Sequence, residues 1–190
     1  NVAKSSGVFD KIIVSTDNKE IAKISNDYGA ETPFIRPKNI SDDFANTADV
    51  IIHAIEFFKS KNYELDKVCC LYPTSVFLNK EDLQKGFAAI NRGKWKFSFS
   101  ITEYNYTIFR SFKLLDNGGV EMLYPKNFET RSQDLQKVYH DAAQFCWGLS
   151  SAWLSKLKVF NHYSYGVVIP NWRVQDIDNE NDWKRAENIF

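Results

Sequence analysis

Lys67-Val68-Cys69-Cys70-Leu71-Tyr72-Pro73-Thr74-Ser75 is the stretch that decides the fold. Its first half is a short apolar run, read as a buried strand. Pro73 breaks that run, and Thr74-Ser75 forms a polar loop at the strand end. The segment from Glu81 to Asn91 then puts Leu83, Phe87 and Ile90 on one helical face. Upstream the pattern is the same. Lys11-Ile-Ile-Val-Ser15 reads as a buried strand ending in Thr16-Asp17, and Asp17 or Asn18 caps a helix with Ile21, Ile24 and Tyr28 on one face. Gly29 stops that helix. Pro33-Phe-Ile-Arg-Pro37 is extended, and a polar loop runs from Lys38 to Asn46. Thr47 caps a helix whose core face carries Ile51, Ile55 and Phe58. Strands alternating with helices of this length predict an α/β fold around a mostly parallel sheet.

The pattern changes after Asn91. Phe97, Phe99 and Ile101 alternate with Ser98, Ser100 and Thr102, as in a strand with one polar face. Lys113 to Leu123 reads as a hairpin turning at Asn117-Gly118. This antiparallel material, about 97–140, is an insertion in a single domain spanning 1–190. It carries Phe97, Phe99, Tyr104, Tyr106, Phe109 and Phe112, more aromatic surface than a small hairpin buries alone, which marks it for self-association. The expected order then resumes with a strand near 144–149, a short helix near 151–158, a strand at 166–169, and a terminal helix ending at Phe190.

Composition excludes several classes. Lys+Arg and Asp+Glu are 24 each in 190 residues, so the net charge of zero lacks the basic excess of a nucleic-acid binder. No apolar run is long enough to span a bilayer. The three cysteines, Cys69, Cys70 and Cys146, have neither C-x-x-C spacing nor an even count, which speaks against zinc or a disulfide framework. Reduced, buried thiols in a cytoplasmic protein are the expected state.

The chemistry gathers at strand ends. Val174-Gln-Asp-Ile-Asp178 places two carboxylates two residues apart. In a strand both leave one face while Ile177 turns to the core. Hard oxygen pairs of this kind suit Mg²⁺, which keeps waters and substrate phosphates for its other positions. The same pattern also marks an ordinary solvated strand exit before a helix. Topology favours the metal, because ligands of open α/β sheets bind outside the carboxyl ends of the parallel strands. Ser15-Thr16-Asp17, Pro73-Thr74-Ser75 and Asp176 with Asp178 would all converge there. Of the histidines, His53 lies in a core-forming helix and His162 in a polar loop. His140 and Asp141, as strand neighbours, face opposite ways and make no acid–base pair.

Seven segments in order carry a resemblance: Phe9–Asp17, Phe34–Pro37, Thr47–Asp49, Leu71–Ser75, Thr130–Leu135, Tyr139–Gln144 and Asp176–Asp178. Together they resemble the cytidylyltransferases that activate nonulosonic, sialic-acid-like sugars. Tyr72–Ser75 and Asp141–Trp147 are most similar to the branch acting on pseudaminic acid; N-acetylneuraminate and legionaminate activation are the neighbouring alternatives. The resemblance implies a Rossmann-like nucleotidyltransferase that joins CTP to the anomeric hydroxyl of a nine-carbon sugar acid, releases pyrophosphate, and works as a homodimer. It implies Asp176 and Asp178 as Mg²⁺ ligands and catalytic groups. It places Ser15, Asp17, Arg36 and Thr74 at the nucleotide. Arg131 would hold the sugar carboxylate through its planar fork. Gln133 and Gln144 would bond hydroxyl or acyl groups, and Tyr72, Tyr139 and Phe145 would pack on apolar parts of the sugar. Core packing is the competing role for Tyr139, Phe145 and Trp147.

One family feature has no counterpart in residues 1–190. The glycine-rich basic loop of the first strand, whose amides cradle a triphosphate, is missing, and Val2 to Gly7 reads as the end of a helix. The chain is therefore expected to lack a central strand, to show an uncovered sheet edge, and to have little activity by itself. A non-catalytic nucleotide-sugar-binding fragment is the alternative from another class. A glycosyltransferase, which also uses Asp-x-Asp, usually carries that motif mid-chain.

Overall fold

A computed structural model describes residues 1–42 and 44–189; Asp43, in the polar loop, and Phe190 lie outside them. Its centre is a four-stranded sheet in the order β1 (Lys67–Leu71), β5 (Tyr139–Leu149), β2 (Phe97–Glu103), β6 (Ser164–Val168). The hairpin of β3 (Phe112–Leu114) and β4 (Val120–Met122) forms a separate small sheet. The helices are α1 (Val2–Ser6), α2 (Lys19–Asp27), α3 (Thr47–Ser60), α4 (Lys80–Asn91), α5 (Ser150–Leu154) and α6 (Glu180–Ile189).

The α/β reading holds, but the sheet is mixed. β2 pairs parallel with β6, whereas β5 runs antiparallel to both β1 and β2. β1, β2 and β6 therefore share one direction, with the reversed β5 between β1 and β2. This arrangement brings the start of β5 to the carboxyl ends of its neighbours: Glu103 ends β2 opposite Tyr139, and β1 ends at Leu71 opposite Phe145.

Side-chain alternation sends Phe145 and Trp147 to one face of the sheet, with Leu83 and Ile90 of α4 against them. Phe97 and Cys146 turn to the other face, where Ile51 and Ile55 of α3 and Ala152 and Trp153 of α5 complete a second core. α4 crosses its face closely at Gly86, where an added Cβ would lie 2.7 Å from both Phe145 and Trp147. The polar side of β2 is not solvated as expected. Ser98, Ser100 and Thr102 are all buried, because a helical layer covers each face of the sheet.

Three further expectations are corrected. Lys11–Ser15 is extended but forms only an isolated parallel bridge, Ile13 to Glu31. Ile21 and Ile24 of α2 and Tyr28 just past its end are exposed, Ile21 to 49%, and only Ala22 of that helix is buried. The Asn18 cap is as read: its side chain accepts from Glu20 N and Ile21 N. Finally, Phe97–Glu103 belongs to the central sheet, so the antiparallel excursion begins after it.

Among the described residues β1 pairs only with β5, and residues of β1 line an open groove of about 720 Å³. Val8, Phe9, Ile13, Ala54, Phe58, Val68 and Trp147 are among its lining residues. None of the sequence-nominated site residues lines it. Among the described residues, no helix is long and apolar enough to cross a membrane.

Candidate active site

The carboxyl ends of β1, β2 and β6, with the start of β5, build one side of the molecule. β1 continues into the Tyr72–Ser75 turn, closed by Ser75 N donating to Tyr72 O at 3.1 Å. That turn is fastened to β5: Tyr72 N donates to Gln144 O at 3.2 Å and Ser75 Oγ to the same carbonyl at 2.7 Å. β5 is irregular here. Its register against β2 shifts between Phe99 and Ile101, and Ala143 takes the left-handed conformation at φ 47°. Ser100 Oγ stabilises the bulge by accepting from Gln144 N and Phe145 N, at 3.0 and 3.3 Å. Asp141 Oδ1 accepts from Ala143 N at 3.0 Å. Bulges of this kind re-aim side chains beside functional sites.

Tyr72 is half-buried at this end. Burial raises its phenol well above the ordinary range, and the neighbouring thiols and Asp141 add to the effect. It stays protonated at any working pH. Burial also pushes up all three thiols, Cys70 to about 11, so none is a reactive nucleophile.

The Asp176-Ile177-Asp178 segment follows β6 through a short 3₁₀ turn, Asn171–Arg173. It is not a strand, so strand alternation does not set its side chains; both aspartates are exposed and Ile177 is half-buried between them. Asp176 Oδ1 accepts from Ile177 N at 3.1 Å, and Asp178 N donates to Asp182 Oδ2 at 3.3 Å. Among the described residues, no group of three or more His, Cys, Asp or Glu could enclose a metal. The two carboxylates nevertheless fit a Mg²⁺ that takes its remaining ligands from water and phosphate, since both present oxygens to solvent.

Ser15, Asp17 and Arg36 meet in the structure. Arg36 donates through Nη1 to Ser15 O at 3.3 Å and lies 3.9 Å from Asp17 Oδ1; its Nε donates to Ser41 Oγ at 3.1 Å. Ser15 Oγ is buried without a protein partner among the described residues. No hydrogen bond or ion pair among the described residues joins this cluster to Asp176 or Asp178. Thr74 is half-buried in the turn after β1.

Of the residues assigned to the sugar, Arg131, Gln133 and Tyr139 are exposed. Arg131 is held by Nε donating to Asp134 at 2.8 Å, which leaves its two terminal nitrogens available. Two assignments are corrected. Phe145, 1% exposed, is core, wedged under α4 at Gly86. Gln144, 3% exposed, is likewise buried, and its amide donates to Arg173 O at 2.7 Å. Both lie past the bulge, where β5 is covered on each face. His140 Nδ1, when protonated, donates to Asp141 O at 2.8 Å, and the ring packs against Tyr104; among the described residues it has no acid–base partner.

The residues not foreseen are Arg173 and Asp82. Arg173 pairs with Asp82 through two bonds, at 2.7 and 3.2 Å, in a buried setting. Asp82 was legible as the third residue after the Asn79 cap, the acidic half of a capping box. Nothing in the sequence signals its pairing with a residue 91 positions away.

Comparison with known proteins decides the family. A family model described as Cytidylyltransferase matches residues 1–143. The chain belongs to the cytidylyltransferase family. It is 42% identical over 188 residues to the pseudaminic acid cytidylyltransferase of Campylobacter jejuni subsp. jejuni serotype O:2, covering 99% of this chain and 81% of that relative. A Helicobacter pylori protein named pseudaminic acid cytidylyltransferase and UDP-2,4-diacetamido-2,4,6-trideoxy-beta-L-altropyranose hydrolase is 31% identical over 177 residues, covering 93% of the chain and 34% of the relative. Among solved structures, CMP:2-keto-3-deoxy-manno-octonic acid synthetase complexed with CTP superposes with a TM-score of 0.63 at 8% identity, covering 96% of this cytidylyltransferase and 81% of that chain. At that identity the likeness is one of fold.

Proposed function

We propose that this cytidylyltransferase transfers CMP from CTP to the anomeric hydroxyl of a nonulosonic acid, pseudaminic acid ahead of N-acetylneuraminic or legionaminic acid, and releases pyrophosphate. The observation that carries the reading is the 42% identity, along 99% of the chain, to a pseudaminic acid cytidylyltransferase. The exposed carboxylates at the sheet's carboxyl end support it independently.

Asp176 and Asp178 would hold Mg²⁺ against the phosphates. A bound Mg²⁺ would neutralise charge developing on the triphosphate as the sugar oxygen attacks. Arg36, with Ser15 and Asp17, contributes to the nucleotide side. Arg131 offers two free nitrogens to the sugar carboxylate, and Tyr72 and Tyr139 offer ring faces to its deoxy and acyl carbons. The working unit is a homodimer formed through the β3–β4 excursion. Its support is the apolar surface that region exposes, with Leu114 74% and Val120 65% accessible beside Phe112 and Phe128. Leu114→Asp with Val120→Asp should leave a monomer by sedimentation; a monomeric unsubstituted protein would remove the dimer.

The test uses the product of the complete reading frame, supplied with CTP, Mg²⁺ and each of the three sugars, with pyrophosphate followed. Pseudaminic acid should give the highest kcat/KM. Asp176→Asn with Asp178→Asn should cut turnover by about a hundredfold or more, the upper end of losses seen for groups one shell further from a metal. Unchanged turnover in that double variant removes the reading.

A further inference from the structure

We propose that Arg173 is the positioning residue of this site, locking the segment that bears Asp176 and Asp178 to the turn after β1. The inference rests on the functional reading above and adds to it a residue outside the exposed constellation.

Arg173 works with both its main chain and its side chain. Its guanidinium reaches α4, bonded to Asp82 through both terminal nitrogens, while Nη1 also donates to Phe77 O at 3.1 Å. Its carbonyl accepts from Gln144 Nε2 at 2.7 Å, and its N–H closes the 3₁₀ turn onto Pro170 O at 2.9 Å. The same Gln144 presents its own carbonyl to Tyr72 N and Ser75 Oγ. One buried cluster therefore ties together the turn after β1, the first turn of α4, the bulge of β5 and the chain leaving β6. Asp176 lies three residues beyond Arg173, with Val174 packed against the core between them. On the far side, Asp182 accepts from Asp178 N and from Gln175 Nε2, at 3.3 and 3.4 Å. The aspartate segment is thus fixed at both ends while both aspartates stay exposed.

Stability alone does not account for such a cluster. A buried ion pair is often no more stabilising than well-packed apolar side chains of similar volume. What the pair supplies here is direction: a planar fork on a carboxylate permits one geometry, and that geometry fixes where the chain leaves β6 toward Asp176 and Asp178. Groups one shell beyond metal ligands commonly set metal affinity in this way.

The experiment separates position from stability. Mn²⁺ binding is measured by electron paramagnetic resonance in the presence of CTP, beside thermal melts, on the product of the complete reading frame. Arg173→Met with Asp82→Leu replaces the ion pair by apolar packing. It should recover much of the melting temperature lost by Arg173→Met alone, yet raise the Mn²⁺ dissociation constant roughly tenfold. Arg173→Lys keeps the charge without the fork, and should show a smaller rise in the same direction. This second variant decides the matter if the double substitution fails to fold. Leu83→Ala, a destabilising change in the α4 core, should lower the melting temperature and leave Mn²⁺ binding as it was. Unaltered binding in a folded Arg173 variant overturns the proposal. If Asp176→Asn with Asp178→Asn also binds Mn²⁺ normally, it is the functional reading that fails. If that variant loses binding while the Arg173 variants keep it, only the positioning role fails.

Discussion

The side-chain amide of Gln144 donates to the backbone carbonyl of Arg173 at 2.7 Å, across a separation of 29 residues. That bond joins the bulged strand of the sheet to the segment that carries the acidic pair. It also changes what Gln144 is for. A glutamine in this motif invites assignment to a sugar hydroxyl, but here its amide nitrogen is already used inside the protein.

Gln144→Ala should therefore act on the fold before it acts on the sugar. It removes a buried donor and leaves the Arg173 carbonyl without its partner, a cost of about 1–3 kcal/mol. Chemical denaturation should show that loss. The KM for the sugar acid should stay close to that of the unsubstituted enzyme. A large rise in sugar KM without loss of stability would return Gln144 to the binding surface.

Tyr72 is the residue through which the proposed sugar preference is tested. Its ring is half-buried beside Asp141 and its phenol is held protonated. Tyr72→Gln exchanges an apolar face for an amide, and should lower kcat/KM for the deoxy sugar relative to N-acetylneuraminic acid. Tyr72→Phe should leave the pH–rate profile unshifted between pH 6 and about 10, the ordinary phenol range, because the phenol does not titrate there. Competition assays with paired sugars measure the first effect and initial rates across pH the second. Equal sugar preference in Tyr72→Gln would detach this residue from specificity.

Gly86 tests the packing that carries the site. Its missing Cβ lets α4 approach Phe145 and Trp147, and Trp147 Nε1 donates to Leu83 O at 3.2 Å along the same contact. Gly86→Ala forces ring or helix to move, and overpacking of this kind costs about 1–3 kcal/mol. That loss should exceed any gain in helix propensity, which is about 1 kcal/mol. A thermal melt with a higher midpoint than the parent would show that the interface has slack.

Much of this layout was legible, and the failures share causes. Local signals held: Asn18 caps α2, Gly7 ends α1 at φ 68°, and the hairpin turns at Asn117-Gly118. The aspartates of 176–178 are exposed around a half-buried isoleucine, but in a segment that is not a strand, so the strand reading of that stretch is corrected. Direction and burial were harder. Nothing in Tyr139–Leu149 says that it runs against its neighbours, since apolar content reports burial and not polarity of pairing. Ser98, Ser100 and Thr102 look solvated by alternation, but small hydroxyls also fit beneath a close helix. Lys11–Ser15 has the composition of a buried strand, yet its apolar residues are only half-buried and its bridge to Glu31 is single. The Arg173–Asp82 pair spans 91 positions, and charge spacing carries no information at that range.

The thiols give a prediction about pH. Cys70 stands opposite Cys146 in the sheet, and burial raises it from its ordinary 9.0 to about 11. A thiol whose folded value is raised stabilises the protein fully below the unfolded value. Above it, the unfolded chain releases its proton first, so stability falls as pH rises through the folded value. The urea midpoint should therefore drop between pH 9 and 11, with a shallower slope in Cys70→Ala. Cys69 and Cys146 are raised for the same reason and keep some slope in that variant. At pH 8 a disulfide reagent should modify the folded protein slowly and the urea-unfolded chain quickly, since the thiolate is the reacting species. Rapid labelling of folded protein at pH 8 would show that this part of the sheet opens to solvent.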